Sequence, residues 1–74
     1  MDNQKVIIHA RFNPSGVVIE ISERPEALSP QDWFNYLSEH AALSYQALAG
    51  GRGVFRLDPA QLAEFKSPFD SKAA

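Results

Sequence analysis

The sequence has 74 residues, nine acidic against seven basic side chains, and no cysteine. This length allows one small domain and excludes a second core, while the lack of cysteine excludes disulfides and thiolate zinc sites as stabilising links. The net charge of −2 argues against the broad basic field of a non-specific nucleic-acid-binding domain. Without these links, oligomerisation is the simplest way for such a chain to bury more apolar surface.

Neither a membrane span nor a signal peptide is indicated. Apolar runs such as Val6–Ile8 are far shorter than the ~20 residues that a membrane span needs. Residues Met1–Lys5 lack the positive and then apolar layout of a signal peptide. We therefore expect a cytoplasmic protein, most simply bacterial, with no membrane contact.

The first part of the chain is predicted to form a β-hairpin. Apolar and polar residues alternate from Lys5 to Phe12, as in a half-buried strand. Asn13-Pro14-Ser15-Gly16 then places Asn, Pro and Gly where a type I turn favours them. Val17 to Ser22 follows as the second strand.

The hydrophobic pattern suggests a register for this hairpin. Pairing Phe12 with Val17 makes one face wholly apolar and places His9 opposite Glu20 on the other face. The apolar row then contains Ile8, Ala10, Phe12, Val17, Ile19 and Ile21.

The start of the first helix is the clearest local signal. Ser29 is a favourable N-cap, Pro30 occupies the first helical position, and Asp32 complements the helix dipole three residues after the cap. Leu28 and Trp33 are spaced as a hydrophobic staple. The sequence therefore predicts a helix that begins at residue 30 and ends near residue 42, and it favours helix over strand for residues 43–49.

The last third of the chain predicts a turn, a strand and a short helix. Gly50–Gly53 forms the turn and Val54–Leu57 the strand, which we expect to lie beside the first strand. Asp58-Pro59-Ala60-Gln61 repeats the helix-start pattern, so a helix of about two turns is predicted over Pro59–Phe65. Residues 67–74 are expected to form a loose tail, although Phe69 could fold back.

These elements predict a single α+β domain over residues 1–74, with an ordered core at about 4–66. Its order is β-β-α-β-α: a small antiparallel or mixed sheet, made of the hairpin and the later strand, with one long and one short helix packed on one face.

No catalytic or metal-binding group is identifiable. A cross-strand His9–Glu20 pair could exchange protons, but a third catalytic residue is missing, and the pair is more typical of a structural contact between strands. His40 stands beside Glu39, and adjacent residues on a helix do not face each other, so they form no metal site. The sequence also lacks a Gly-x-Ser-x-Gly nucleophile motif. We predict a protein that is not an enzyme and holds no cofactor or metal.

A weak anion-binding signal lies in the glycine-rich turn. Backbone N–H groups and two arginines could cradle a phosphate or carboxylate, using Gly50, Gly51, Arg52, Gly53 and Arg56. A strand follows the turn, whereas a P-loop requires a helix. The competing interpretation is a tight turn whose glycines adopt positive φ.

The long helix carries more aromatic surface than one small sheet is expected to cover. Trp33 and Phe34 lie about 100° apart around the helix, so they cannot point in the same direction. We therefore predict an interface from residues of this helix and of the less apolar sheet face: Ile7, Val18, Trp33, Phe34, Tyr36 and Leu37.

Together, these features favour a non-enzymatic interaction module that self-associates as a homodimer or binds another protein. The alternative is an anion or single-stranded nucleic-acid binder that uses Gly50–Gly53 with Arg52 and Arg56. Nucleic-acid binding is disfavoured because acidic residues outnumber basic ones.

Overall fold

The computed structural model describes residues 4–69, which form one four-stranded antiparallel sheet and two helices. The elements in chain order are β1 (Val6–Phe12), β2 (Val18–Ile21), α1 (Pro30–His40), β3 (Tyr45–Leu48), β4 (Arg52–Leu57) and α2 (Pro59–Lys66), with 3-10 turns at Ala42–Ser44 and Ser67–Phe69. The strands lie in the order β2-β1-β4-β3. The predicted α+β class, with helices on one face of a single sheet, is confirmed, as is the place of β4 beside β1.

The turn between β1 and β2 is held by the Asn13 side chain. Its Oδ1 accepts hydrogen bonds from the N–H groups of Ser15 (2.9 Å) and Val17 (3.0 Å). The Gly16 N–H donates to the Asn13 carbonyl oxygen, and Gly16 has a φ of +89°. The predicted turn is therefore present. Val17 belongs to this turn, and the second strand begins at Val18.

Replacing Asn13 with alanine is expected to lower the free energy of unfolding by about 1–2 kcal/mol, since two N–H groups lose their acceptor. Urea unfolding followed by circular dichroism measures this loss. The Ser15→Ala variant is the control, because the Ser15 contact to Asn13 comes from its main chain. An equal loss in both variants would contradict this role of the Asn13 side chain.

The predicted hairpin register is wrong. Phe12 pairs with Val18 and Arg11 with Glu20, so Ile19 is an extra residue that forms a β-bulge. The bulge brings Val18 to the core in place of Val17 and Ile19, while Ile21 faces the core as predicted. On the core face, the hairpin carries Ile8, Ala10, Phe12, Val18 and Ile21, while Val17 and Ile19 are exposed.

The prediction of helix over residues 43–49 is wrong, because Tyr45–Leu48 forms the strand β3. Tyr45 pairs with Phe55 and Leu48 with Arg52, so this segment forms a second hairpin with β4. Its Tyr45 ring packs against Phe55 at a centroid distance of 5.0 Å. This long-range pairing and packing outweigh the helix propensity of the alanines, which is a weak local preference.

The helix α1 lies across the sheet and buries both Trp33 and Phe34 to different depths. Trp33 is fully buried, and its Nε1–H donates to the Ser22 carbonyl oxygen at 3.2 Å. Phe34 is half-buried, with its ring 5.2 Å from that of Phe12 and 5.5 Å from that of Phe55. A four-stranded sheet is wide enough to receive side chains from two sides of one helix.

The second helix docks through another aromatic cluster. Tyr36 stacks on Trp33 at 6.0 Å and makes edge contacts with Phe65 at 6.0 Å and Phe69 at 5.0 Å. Leu62 completes the core at this end. Phe69 thus folds back onto α1, while residues 70–74 of the predicted tail lie outside the described residues.

Candidate binding surfaces

The helices cover one face of the sheet and leave the other exposed to solvent. We call this second surface the open face. The strand positions that alternate with the core define it as Ile7, His9, Arg11, Glu20, Gln46, Leu48, Arg52, Val54 and Arg56, and the exposed bulge residue Ile19 lies at its β2 edge.

The open face concentrates positive charge. Three arginines stand there against one glutamate, whereas the rest of residues 4–69 holds three basic and six acidic residues. Arg11 lies directly opposite Arg52 on the neighbouring strand. Arg11 forms an ion pair with Glu20 at 3.0 Å, while the Arg52 Nε–H donates to the Ala49 carbonyl oxygen at 3.3 Å. The face is therefore basic although the chain is acidic.

Val54 lies at the centre of the open face and is nevertheless only 3% exposed. Its cross-strand neighbours are His9 and Gln46, and Arg52 and Arg56 flank it along β4. The Arg56 Nη1–H donates to Gln46 Oε1 at 2.5 Å. Long polar side chains thus surround an apolar centre, and their aliphatic stems are suited to shield it.

The structure keeps Arg52 at the glycine turn, where its Nε–H donates to the Ala49 carbonyl oxygen, and separates Arg56 from that turn. Gly50 and Gly51 have φ values of +79° and +72° in the turn between β3 and β4, and the Gly51 carbonyl oxygen accepts the Phe12 N–H at 2.8 Å. Gly53 is buried within β4. Arg52 and Arg56 are four residues apart on one strand, which is about 13 Å. The turn and both arginines therefore do not form one pocket for a single phosphate.

The six residues of the predicted interface divide into three groups. Val18, Trp33 and Leu37 are buried in the core of the chain. Phe34 and Tyr36 lie at its margin and pack against other rings. Ile7 is 38% exposed, and it alone of the six lies on the open face.

The predicted pairing of His9 with Glu20 is wrong, because the β-bulge moves Glu20 opposite Arg11. The His9 main chain bonds instead with Ser22, whose Oγ accepts the His9 N–H at 2.9 Å. An open depression of about 290 Å³ beside β1 and β2 is lined by His9, Arg11, Glu20, Ile21 and Ser22. Among residues 4–69, no three His, Asp or Glu side chains converge as metal ligands do.

The two edges of the sheet differ in protection. At the β2 edge, Gln31 of α1 reaches down and its Oε1 accepts the Val18 N–H at 2.8 Å. The Ile19 bulge interrupts the same edge. Bulges and covering side chains are the devices that keep an edge strand from pairing with another chain.

The β3 edge has none of these devices within the described residues. Tyr45–Leu48 contains no proline and no charged residue, and its pairing with β4 has no register shift. Leu48 is 37% exposed, and Leu43, just before the strand, is fully exposed. β3 is thus an unprotected strand edge that begins and ends beside exposed leucines.

Neither β3 nor Leu43 was predicted from the sequence to belong to a binding surface. The available signal was the alternation of Leu43, Tyr45 and Ala47, which is weak because most of the strand is exposed on both faces. The sequence shows that Arg11 is basic, but its position opposite Arg52 depends on the pairing of β1 with β4 and was not predicted.

Comparison of the chain with protein-family models, with curated proteins and with solved structures finds no match. Neither helix among the described residues has the length and apolar character required to cross a membrane.

Proposed function

We propose that this protein is a non-enzymatic interaction module that self-associates by pairing β3 with β3 of a second copy. The observation that carries the proposal is the contrast between the two edges of the sheet. Gln31 and a bulge guard β2, whereas β3 is an uncharged edge strand with neither device among the described residues. Antiparallel pairing of two such edges extends the sheet to eight strands.

The composition of β3 suits a two-fold symmetric contact. In such a contact the same residues of both copies approach one another, so a charged strand would repel itself. Tyr45–Leu48 carries no charge. The arginines of β4 stand one strand back in each copy, at a separation of about three strand spacings, or ~14 Å, where salt screens most of their repulsion.

Exposed leucines add apolar area to this edge. Leu43 and Leu48 flank β3, and each exposes apolar surface that a second copy could bury. A contact built on one short strand is small by the standards of stable dimers, so we expect an affinity of micromolar order. The proposal includes a cytoplasmic location.

Sedimentation velocity over a concentration series tests the pairing. The wild-type protein is expected to shift from monomer to dimer across the micromolar range. Ala47→Lys is expected to remain monomeric, since lysine on an edge strand opposes pairing. Leu43→Lys is expected to weaken the dimer, because it replaces apolar surface that the second copy would bury with a charge. Both positions are exposed, so thermal stability is expected to change little.

Ile19→Lys is the matched control, because it places the same charge at an exposed aliphatic position on the guarded edge. It is expected to dimerise like the wild-type protein. A wild-type monomer at every concentration would refute self-association. Equal loss of dimer in Ile19→Lys and Ala47→Lys would refute the assignment to β3.

A further inference from the structure

The arrangement of arginines on the open face is unfavourable for the fold by itself. Like charges directly opposite each other on neighbouring strands destabilise a sheet, and Arg11 stands opposite Arg52. Glu20 compensates Arg11, but within residues 4–69 neither Arg52 nor Arg56 has a carboxylate partner in an ion pair. This excess of guanidinium groups is complementary to carboxylates or phosphates from another molecule.

Exposed aliphatic side chains accompany these arginines. Leu48 lies opposite Arg52, and Ile7 lies opposite Arg56. Ile19, the bulge residue that precedes Glu20, is 51% exposed. A ligand that fits this pattern must offer apolar groups between its negative charges.

The positions of the aromatic residues distinguish protein from nucleic acid as the ligand. Single-stranded nucleic acid is held by stacking bases on exposed aromatic rings. All the aromatic residues of the sequence lie within the described part of the chain, and each belongs to the core or packs against it. The open face thus offers cations and aliphatic groups, and His9 is the one ring there, with no Phe, Tyr or Trp on which bases can stack.

We infer that the open face binds an acidic segment of a partner protein, in which carboxylates alternate with aliphatic side chains. Arg52 and Arg56 bind the carboxylates at the two ends of the face, while Ile7, Ile19 and Leu48 contact the aliphatic groups. The site lies within one chain and shares only Leu48 with the proposed pairing of β3, while both arginines that carry the binding lie on β4.

The probe is a fluorescein-labelled synthetic peptide of alternating Glu and Leu, titrated with the protein and followed by fluorescence anisotropy at low and high salt. Binding is expected at low salt and is expected to weaken as salt increases. Arg52→Thr and Arg56→Thr are each expected to weaken binding about threefold, and the double variant about tenfold. Threonine is chosen because it favours strands and removes the like-charge pair, so Arg52→Thr is expected to melt no lower than the wild-type protein.

Three controls are matched to these variants. Arg24→Thr removes the same charge from the connection before α1, where Arg24 donates to the Leu28 carbonyl oxygen, and it is expected to leave binding unchanged. A Glu-Ser peptide is expected to bind more weakly than the Glu-Leu peptide. The Ala47→Lys variant, designed to prevent β3 pairing, is expected to bind the Glu-Leu peptide normally.

Equal weakening in Arg24→Thr and Arg52→Thr would overturn the assigned surface, since binding would then follow net charge. Tighter binding of a single-stranded oligothymidine than of the peptide would overturn the assignment of a protein ligand. Failure of the wild-type protein to bind the Glu-Leu peptide at low salt would likewise reject the inference, whatever its oligomeric state.

Discussion

Replacing Trp33 with alanine is expected to remove a large part of the stability of the fold. Truncation of a fully buried aromatic side chain costs about 3–5 kcal/mol, and the total stability of a domain this small is about 4–11 kcal/mol. Trp33 also joins the two ends of the core, because its ring stacks on Tyr36 and its Nε1–H bonds to the Ser22 carbonyl oxygen. Circular dichroism and urea unfolding measure the loss.

Two comparison variants separate the causes of this loss. Trp33→Phe keeps a ring but removes the hydrogen bond to Ser22, and it is expected to cost about 1–3 kcal/mol. Leu43→Ala truncates a fully exposed residue and is expected to change stability by less than about 0.5 kcal/mol. A Trp33→Ala variant as stable as Leu43→Ala would show that α1 is not fixed to the sheet in the way described.

Replacing Gly53 with alanine is expected to destabilise the fold by about 1–3 kcal/mol through overpacking. The Tyr45 ring of β3 lies across Gly53, and a Cβ atom placed there would meet Cε1 and Cζ of that ring at 2.7 Å. The ring cannot move freely, since Phe34 contacts it at 5.6 Å and Phe55 at 5.0 Å. Thermal melting and urea unfolding measure the effect.

A double-mutant cycle tests this steric explanation. In a Tyr45→Ala background, Gly53→Ala is expected to be neutral or stabilising, because the obstruction is gone and alanine is preferred to glycine within a strand. The Tyr45→Ala change is itself expected to be destabilising, since it removes contacts with two rings. Equal effects of Gly53→Ala with and without Tyr45 would exclude the contact as the cause.

Helix starts were predictable because their determinants are local. Ser29 caps α1 as the sequence indicates, with its Oγ accepting the Asp32 N–H at 3.1 Å. At the start of α2, Gln61 Oε1 accepts the Asp58 N–H at 3.4 Å. Each signal requires only residues within one helical turn of each other, so no tertiary information is needed.

The hairpin register was not predictable from pattern alone. Val17–Ile19 is a continuous apolar run, so alternation permits either phase for β2. The phase is set by the Asn13 side chain, which holds the Val17 N–H within the turn, and by Gln31, which accepts the Val18 N–H from α1. The contact from Gln31 comes from α1, so it cannot be predicted from the sequence of the strand alone.

The candidate surfaces were predictable in part. Ile7, Arg52 and Arg56 were identified as exposed or charged residues, but their common face depends on the antiparallel pairing of β1 with β4 across some fifty residues of sequence. Because β3 was not predicted, its unprotected edge was not identified as a binding surface. The aromatic helix surface, which suggested an interface, is instead used within the chain because the sheet is one strand wider than expected.

The central claim is that β3 pairs with β3 of a second copy, and amide hydrogen exchange measured residue by residue tests it most directly. Exchange is compared at low micromolar and at millimolar protein concentration, where mass action favours the dimer. We predict that amides of Tyr45–Leu48 exchange more slowly at the higher concentration, while those of β2 exchange at unchanged rates. Unchanged exchange in β3, or equal slowing at both edges, would contradict the account.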